Sequence, residues 1–214
     1  MPLTPALFPG MIQALIDTIA AHAEEVTELD QAIGDGDHVF NLQRGLQALH
    51  DHAAEITQLD WIAAWQKIGM TVMAAVGGAS GSLYATLFIS LGKRSRDKSL
   101  DLQGFAEAFQ VAVEAVKQRG KADVGEKTML DVLVPVALAL RDDAEAGKPL
   151  SALLDHLCDV AEIGVEATRD MLATKGRASF LGERSKGHID AGAKTAQLMI
   201  AALAGVLKKA GESE

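Results

Sequence analysis

Residues 30–38 read "DQAIGDGDH": three carboxylates (Asp30, Asp35, Asp37), two glycines and a histidine within nine positions. Carboxylate oxygens brought to one point by a glycine-rich turn, with places left for water or phosphate, make an open magnesium site rather than a closed cage. The same composition also suits a solvated acidic turn, since Asp and Gly are favoured turn residues. A calcium loop of the EF-hand kind is excluded, because the pattern that starts at Asp35 has Val39 and Phe40 where a further ligand and the required glycine should stand. His38 is placed either to contact phosphate or to cap the helix that follows.

Three further stretches have the chemistry of a site rather than of a linker. "GGASGS" at 77–82 lies between two apolar runs. It reads either as a tight helix–helix turn or as a helix start whose N–H groups, with the hydroxyls of Ser80 and Ser82, hold an anion. It is not a Walker A loop, which needs G-x-x-x-x-G-K-[ST], and no G-x-G-x-x-G follows a strand. "RGKADVGEKT" at 119–128 and "KGRASFLGERSKGHIDAG" at 175–192 complete the set. The last offers Arg177, Arg184, Lys186 and His188, as a phosphate clamp or as a solvated surface, and Asp190 opens a helix after it.

The elements that must position these loops are helical. Apolar residues recur at helical spacing almost throughout, and strand-like alternation is nearly absent. One helix is expected from Met11 to Leu29, introduced by Thr4 or by a Pro9-Gly10 turn. Others follow at about 38–52, 59–76, 82–91, 102–119, 128–146, 150–173 and 190–207. "VLVPVALAL" stays helical because Pro135 would cost a central strand a ladder bond but only kinks a long helix. Eight helices without a composition break describe one all-α domain over 1–214. In an up-and-down bundle alternate loops share an end, so all four unusual loops meet there. An acidic turn, an anion-type loop and a basic loop converging on one end point to phosphate handling.

Composition limits the alternatives. Twenty basic and 29 acidic residues give a formal charge of -9, and seven carboxylates precede Arg44, the first basic side chain; nucleic acid is therefore a poor partner. The uncharged run from Ile68 to Gly92 is long enough for a bilayer, but its glycine-serine centre predicts two buried helices, not a span. A single cysteine, Cys158, and a start without a basic leader lead to the expectation of a cytoplasmic protein.

The stretches "IGDGDHVFNLQRG", "TVMAAVGGASGSLYATLF", "RGKADVGEKTMLDVLVPV" and "KGRASFLGERSKGHIDAGA" together resemble the nucleotide-binding L subunit family of dihydroxyacetone kinases, in order and over nearly the whole chain. The resemblance implies an eight-helix antiparallel up-and-down barrel with ADP or ATP in the loops at one end. It implies two Mg²⁺ ions on Asp30, Asp35 and Asp37, with His38, Asn41, Ala79 and Ser80 along phosphates or ribose. Gly120, Thr128 and Met129 would lie near the nucleoside, and Arg177 with Asp190, Ala191 and Gly192 would close the pocket. A separate chain of this length resembles the phosphoenolpyruvate-dependent type. There, bound ADP is rephosphorylated in place by a phosphohistidine carrier (the M subunit), and the ATP formed serves dihydroxyacetone on a K subunit. The alternatives are the nucleotide domain of an ATP-dependent dihydroxyacetone or fatty-acid kinase, and an ADP-loaded module acting on a transcription regulator. The family often has Gly after Asp37-His38; Val39 stands there instead, which matters if that position needs a positive φ.

Overall fold

A computed structural model describes residues 5–94 and 101–212. Among them the chain forms α1 (Phe8–Ala21), α2 (Ala23–Ile33), α3 (His38–Asp51), α4 (Ala53–Ile56), α5 (Trp61–Ala75), α6 (Gly78–Arg94), α7 (Leu102–Gly120), α8 (Leu130–Glu145), α9 (Leu150–Ala167) and α10 (Ala191–Glu212), with no strand. The all-helical expectation holds, and Pro135 is accommodated inside α8. No single helix among the described residues is long and apolar enough to cross a membrane.

Each long helix packs on its successor from α5 to α10; α10 then returns to α1, α1 lies on α3, and α3 on α5. Their inward faces form one continuous cluster of mostly aliphatic side chains, including Ile19, Val26, Ile68, Val116, Val132 and Leu153. Close approach depends on small residues. At Gly164, where α9 crosses the start of α8, a Cβ would lie 2.5 Å from the Asp131 carbonyl oxygen. Asp60 and Asp101 cap α5 and α7, accepting 2.8 Å bonds from the amides of Ala63 and Gly104.

Several boundaries differ from expectation. The first helix is two, bent by 64° where His22 leaves helical geometry. Glu24 and Glu25 fall in the first turn of α2, where carboxylates favour a new helix start. Pro9 and Gly10 form the first turn of α1 instead of a preceding turn, because proline is tolerated before the helix needs its N–H; Thr4 lies outside the described residues. Most of "GGASGS" is already helix, since α6 begins at Gly78. α9 ends at Ala167, and a 3-10 turn covers Thr168–Asp170. The basic loop is not irregular either: Arg177–Ser185 is 3-10 helical, kinked at Gly182. Its underside, Ala178, packs with Ile33 and Ala173 in a small second cluster. Val39 sits buried inside α3, while positive φ among described non-glycine residues occurs only at Lys121 and Lys127, so valine is unstrained there.

Candidate functional site: a cavity at the convergent loops

α2 ends where Gly34 donates to the Asp30 carbonyl oxygen at 2.5 Å. A side chain at Gly34 would collide with the Asp30 carboxylate, its Cβ only 2.2 Å from Oδ1, and Gly36 takes φ +76°. The two glycines therefore fold the chain back so that oxygens of Asp30, Asp35 and Asp37 all lie within 4.8 Å of one another. Asp30 is steadied by the His38 amide, which donates to Oδ2 at 3.2 Å. Asp35 and Asp37 are exposed. Three converging carboxylate oxygens that leave an open side could hold a hard divalent cation.

These carboxylates form one wall of a cavity of about 500 Å³. His38 is the first residue of α3 and does not cap it. Its ring bridges two other elements, Nε2 lying 2.9 Å from Thr195 Oγ1 on α10 and Nδ1 3.4 Å from Ser80 Oγ on α6. Burial lowers the His38 pKa, against the pull of Asp30, Asp37 and Asp35, which favours the neutral ring. Asn41 and Ala79 share this wall. The hydroxyls expected to be free are engaged: Ser80 meets His38, and Ser82 donates to the Ala79 carbonyl at 3.0 Å. The anion-binding capacity of the α6 start thus lies in its first-turn N–H groups.

Opposite, Gly120, Thr128 and Met129 border the cavity, and Asp190, Ala191 and Gly192 form its floor at the start of α10. Asp190 caps that helix, accepting from the Ala193 amide at 2.7 Å. Arg177 reaches across the mouth to Asp35, Nη2 to Oδ2 2.8 Å, with 69% of its side chain exposed. Every residue that the family resemblance implies for the site therefore lines one cavity. Of the other basic-loop candidates, Arg184, Lys186 and His188 do not line it, and Lys186 pairs with Glu183.

Four lining or supporting residues went unrecognised in the sequence. Thr195 is buried and donates to the Gly192 carbonyl at 3.1 Å as well as meeting His38. The Tyr84 hydroxyl is buried at the cavity wall, and burial pushes its pKa up against the pull of the neighbouring Thr195 hydroxyl. Asp131 is buried and accepts from the amides of Gly125 (2.6 Å) and Thr128 (2.7 Å). Lys127 is 1% exposed. The signal available was the pair Thr128–Asp131 at a helix start, which reads as a reversed cap; Lys127, Tyr84 and Thr195 carry no local signal.

The inward-facing Asp190 carboxyl is pushed up to about 7, chiefly by burial and with Asp131 and Asp30 adding repulsion, against the Ala193 amide bond and Lys127. A carboxyl whose folded pKa exceeds its unfolded value of 3.8 favours the folded state at low pH; that advantage is lost as pH rises from 3.8 to about 7. Asp190→Asn, which keeps an acceptor for Ala193, is expected to gain thermal stability relative to wild type progressively across this window, with no further gain above it. Melting temperatures of the ligand-free proteins from pH 4 to 8 check this; a constant difference would refute the assignment.

Residues 32–205 match the model of the DAK2 domain family. The chain is 39% identical over 187 residues to the PEP-dependent dihydroxyacetone kinase 1, ADP-binding subunit DhaL, of Listeria innocua, spanning 87% of this chain and 89% of that one. It is 39% identical over 189 residues to the ADP-binding subunit DhaL of the PEP-dependent dihydroxyacetone kinase of Escherichia coli, spanning 88% and 90%. In structure it is similar to the dihydroxyacetone kinase of C. freundii in complex with AMP-PNP and Mg2+, with a TM-score of 0.70 and 26% identity. All of this chain but only 35% of that longer one is covered.

Proposed function

The chain belongs to the DAK2 domain family, and from that premise we propose that it is the ADP-binding subunit of a phosphoenolpyruvate-dependent dihydroxyacetone kinase. In this reading residues 1–214 are one cytoplasmic nucleotide-binding domain, an eight-helix antiparallel up-and-down barrel. The closed succession of helix neighbours, α10 returning to α1, supports that architecture. ADP held in the loop cavity is phosphorylated in place by a phosphohistidine carrier, and the ATP formed gives its phosphoryl group to dihydroxyacetone on a separate K subunit.

The single observation that carries this is the convergence of Asp30, Asp35 and Asp37 on one wall of a cavity closed by two helix starts and an arginine. The donor set fits two Mg²⁺ ions, which when bound would neutralise a diphosphate and polarise its oxygens. The first-turn amides of α6 would hold phosphate oxygens, the neutral His38 ring, engaged by Thr195 and Ser80, would fix the wall beside them, and Arg177 would follow charge at the mouth. Gly120 and Met129 would border the nucleoside. Phosphoryl transfer asks for positioning and charge neutralisation above all, and these groups supply both.

The 39% identity to two ADP-binding subunits, over 87% and 88% of this chain, favours the carrier-dependent mode over an ATP-dependent kinase domain. Purified protein is expected to carry ADP through gel filtration, to release it only with chelator or denaturant, and to melt at a higher temperature while loaded. Reconstitution with the K subunit and a phosphohistidine carrier should then yield dihydroxyacetone phosphate. Rapid exchange of the bound nucleotide with labelled ATP would point to the ATP-dependent mode instead.

A further inference from the structure

Lys127 is the largest fully buried side chain among the described residues, yet it carries a charge. Its ammonium donates to the carbonyl oxygens of Thr168 (2.5 Å), Arg169 (3.3 Å) and His188. A lysine has three N–H donors, so the group is saturated and has none left for a ligand. Thr168 and Arg169 belong to the 3-10 turn after α9, His188 leads into the start of α10, and Lys127 stands one residue before Thr128 on the cavity wall. One side chain therefore joins three separate stretches of chain.

The local backbone is shaped to make that connection. Lys127 takes φ +61°, a left-handed geometry that costs a non-glycine residue about 1 kcal/mol or more. The turn is held in this form from both sides by Asp131, which accepts from the amides of Gly125 and Thr128. On the far side the Thr168 hydroxyl accepts from the Asp190 amide at 3.0 Å, and Gly187 donates to the Arg169 carbonyl at 2.8 Å. The residues whose carbonyls hold the ammonium are thus themselves bonded to the segment that supplies Asp190, Ala191 and Gly192, Thr168 through its hydroxyl and Arg169 through its carbonyl.

We propose that Lys127 is the positioning residue of the nucleotide site: a buried ammonium that ties its own turn and the approach to α10, both of which line the cavity, to the 3-10 turn behind them, and preforms the cradle without its ammonium engaging the ligand. The inference rests on the nucleotide reading given above. A buried cation with three carbonyl acceptors is costly to place but, once placed, admits few alternative arrangements of those carbonyls. The consequence is a pocket whose floor and one wall are set before ADP arrives, so that little binding energy is spent on ordering them.

Lys127→Met keeps the stem and removes the donors. At saturating Mg²⁺ its ADP affinity by calorimetry is expected to fall roughly tenfold or more, since part of the binding energy must now order the loops. Phosphoryl transfer at saturating nucleotide should stay within about threefold of wild type, because the ammonium does not meet the reacting atoms. Leu157→Ala, a cavity in the core of α9, serves as the control for lost stability and should retain wild-type affinity. An affinity for Lys127→Met within about twofold of wild type, or a loss matched by Leu157→Ala, overturns the proposal.

Should Lys127→Met not fold, hydrogen exchange on the wild type decides. Amides of 168–170 and 186–190 are expected to be protected before ADP is added, and protection appearing only with ADP would refute a preformed cradle. Failure of wild-type protein to bind ADP with Mg²⁺ would remove the nucleotide reading, while the ligand-free exchange pattern would still report on the tie.

Discussion

Asp35→Ala or Asp37→Ala is expected to lower Mg²⁺-dependent ADP affinity by about two orders of magnitude while leaving the melting temperature of the ligand-free protein nearly unchanged. The separation follows from exposure and bonding. Both carboxylates are exposed, and Asp37 precedes α3 without making a side-chain cap bond to it. Asp35 has the Arg177 ion pair, which at this exposure adds little stability. Removing either therefore costs the fold almost nothing but takes away part of a divalent donor set, leaving a diphosphate to face the remaining carboxylates without enough counter-charge.

Asp30 is the informative contrast, because its Oδ2 also holds the His38 amide, a bond that alanine cannot make. Asp30→Ala should lose affinity and also about 1 kcal/mol of stability. Calorimetry of ADP with and without Mg²⁺, beside thermal melts, checks all three. Unchanged ADP affinity in Asp35→Ala and Asp37→Ala would remove the carboxylates from any metal role.

This turn is legible in the sequence for a physical reason that its neighbours lack. Its chemistry is local: three carboxylates and two glycines within eight residues can converge only by folding on themselves, and Gly34 and Gly36 do this. The meeting of four distant loops at one end was legible for a different reason, since helical periodicity sets the element order and the alternation of ends follows from it. What stayed hidden depends on contacts between remote segments.

Lys127 in "GEKT" looks like one more surface charge; only carbonyls more than 40 positions away make it a buried tie. Thr195 and Tyr84 read as ordinary helix residues until α10 and α6 bring them to His38 and the cavity. Neither glycine nor proline marks the break at His22, and the glycines before Ser82 resemble a loop although close packing is the reason for them. At Gly81, already inside α6, a Cβ would fall 2.2 Å from the Val76 carbonyl.

Arg177→Lys is expected to leave ADP binding within about threefold of wild type yet slow phosphoryl transfer by roughly tenfold or more. The arginine stands at the cavity mouth, mostly exposed, with one guanidinium nitrogen on Asp35. A guanidinium has five donors in a planar fork, so it can keep that carboxylate on one edge and present another to a phosphoryl group moving through the mouth. A lysine is a point charge that must choose between the two. In the ground state the choice should matter little, because on the proposed reading the cation-loaded carboxylate turn, the α6 start and the α10 floor would already hold the diphosphate. It matters when charge spreads over the transferring group, where only a donor that follows the charge lowers the barrier. Exposure of the pair means that folding is not at stake, so a slowed rate is a loss of transition-state contact. Single-turnover transfer of labelled phosphoryl from the phosphohistidine carrier, run beside equilibrium ADP binding, separates the two effects. If transfer is unaffected in Arg177→Lys and also in Arg177→Ala, the residue serves only its pair with Asp35, and neutralisation at the mouth falls to groups on the other walls.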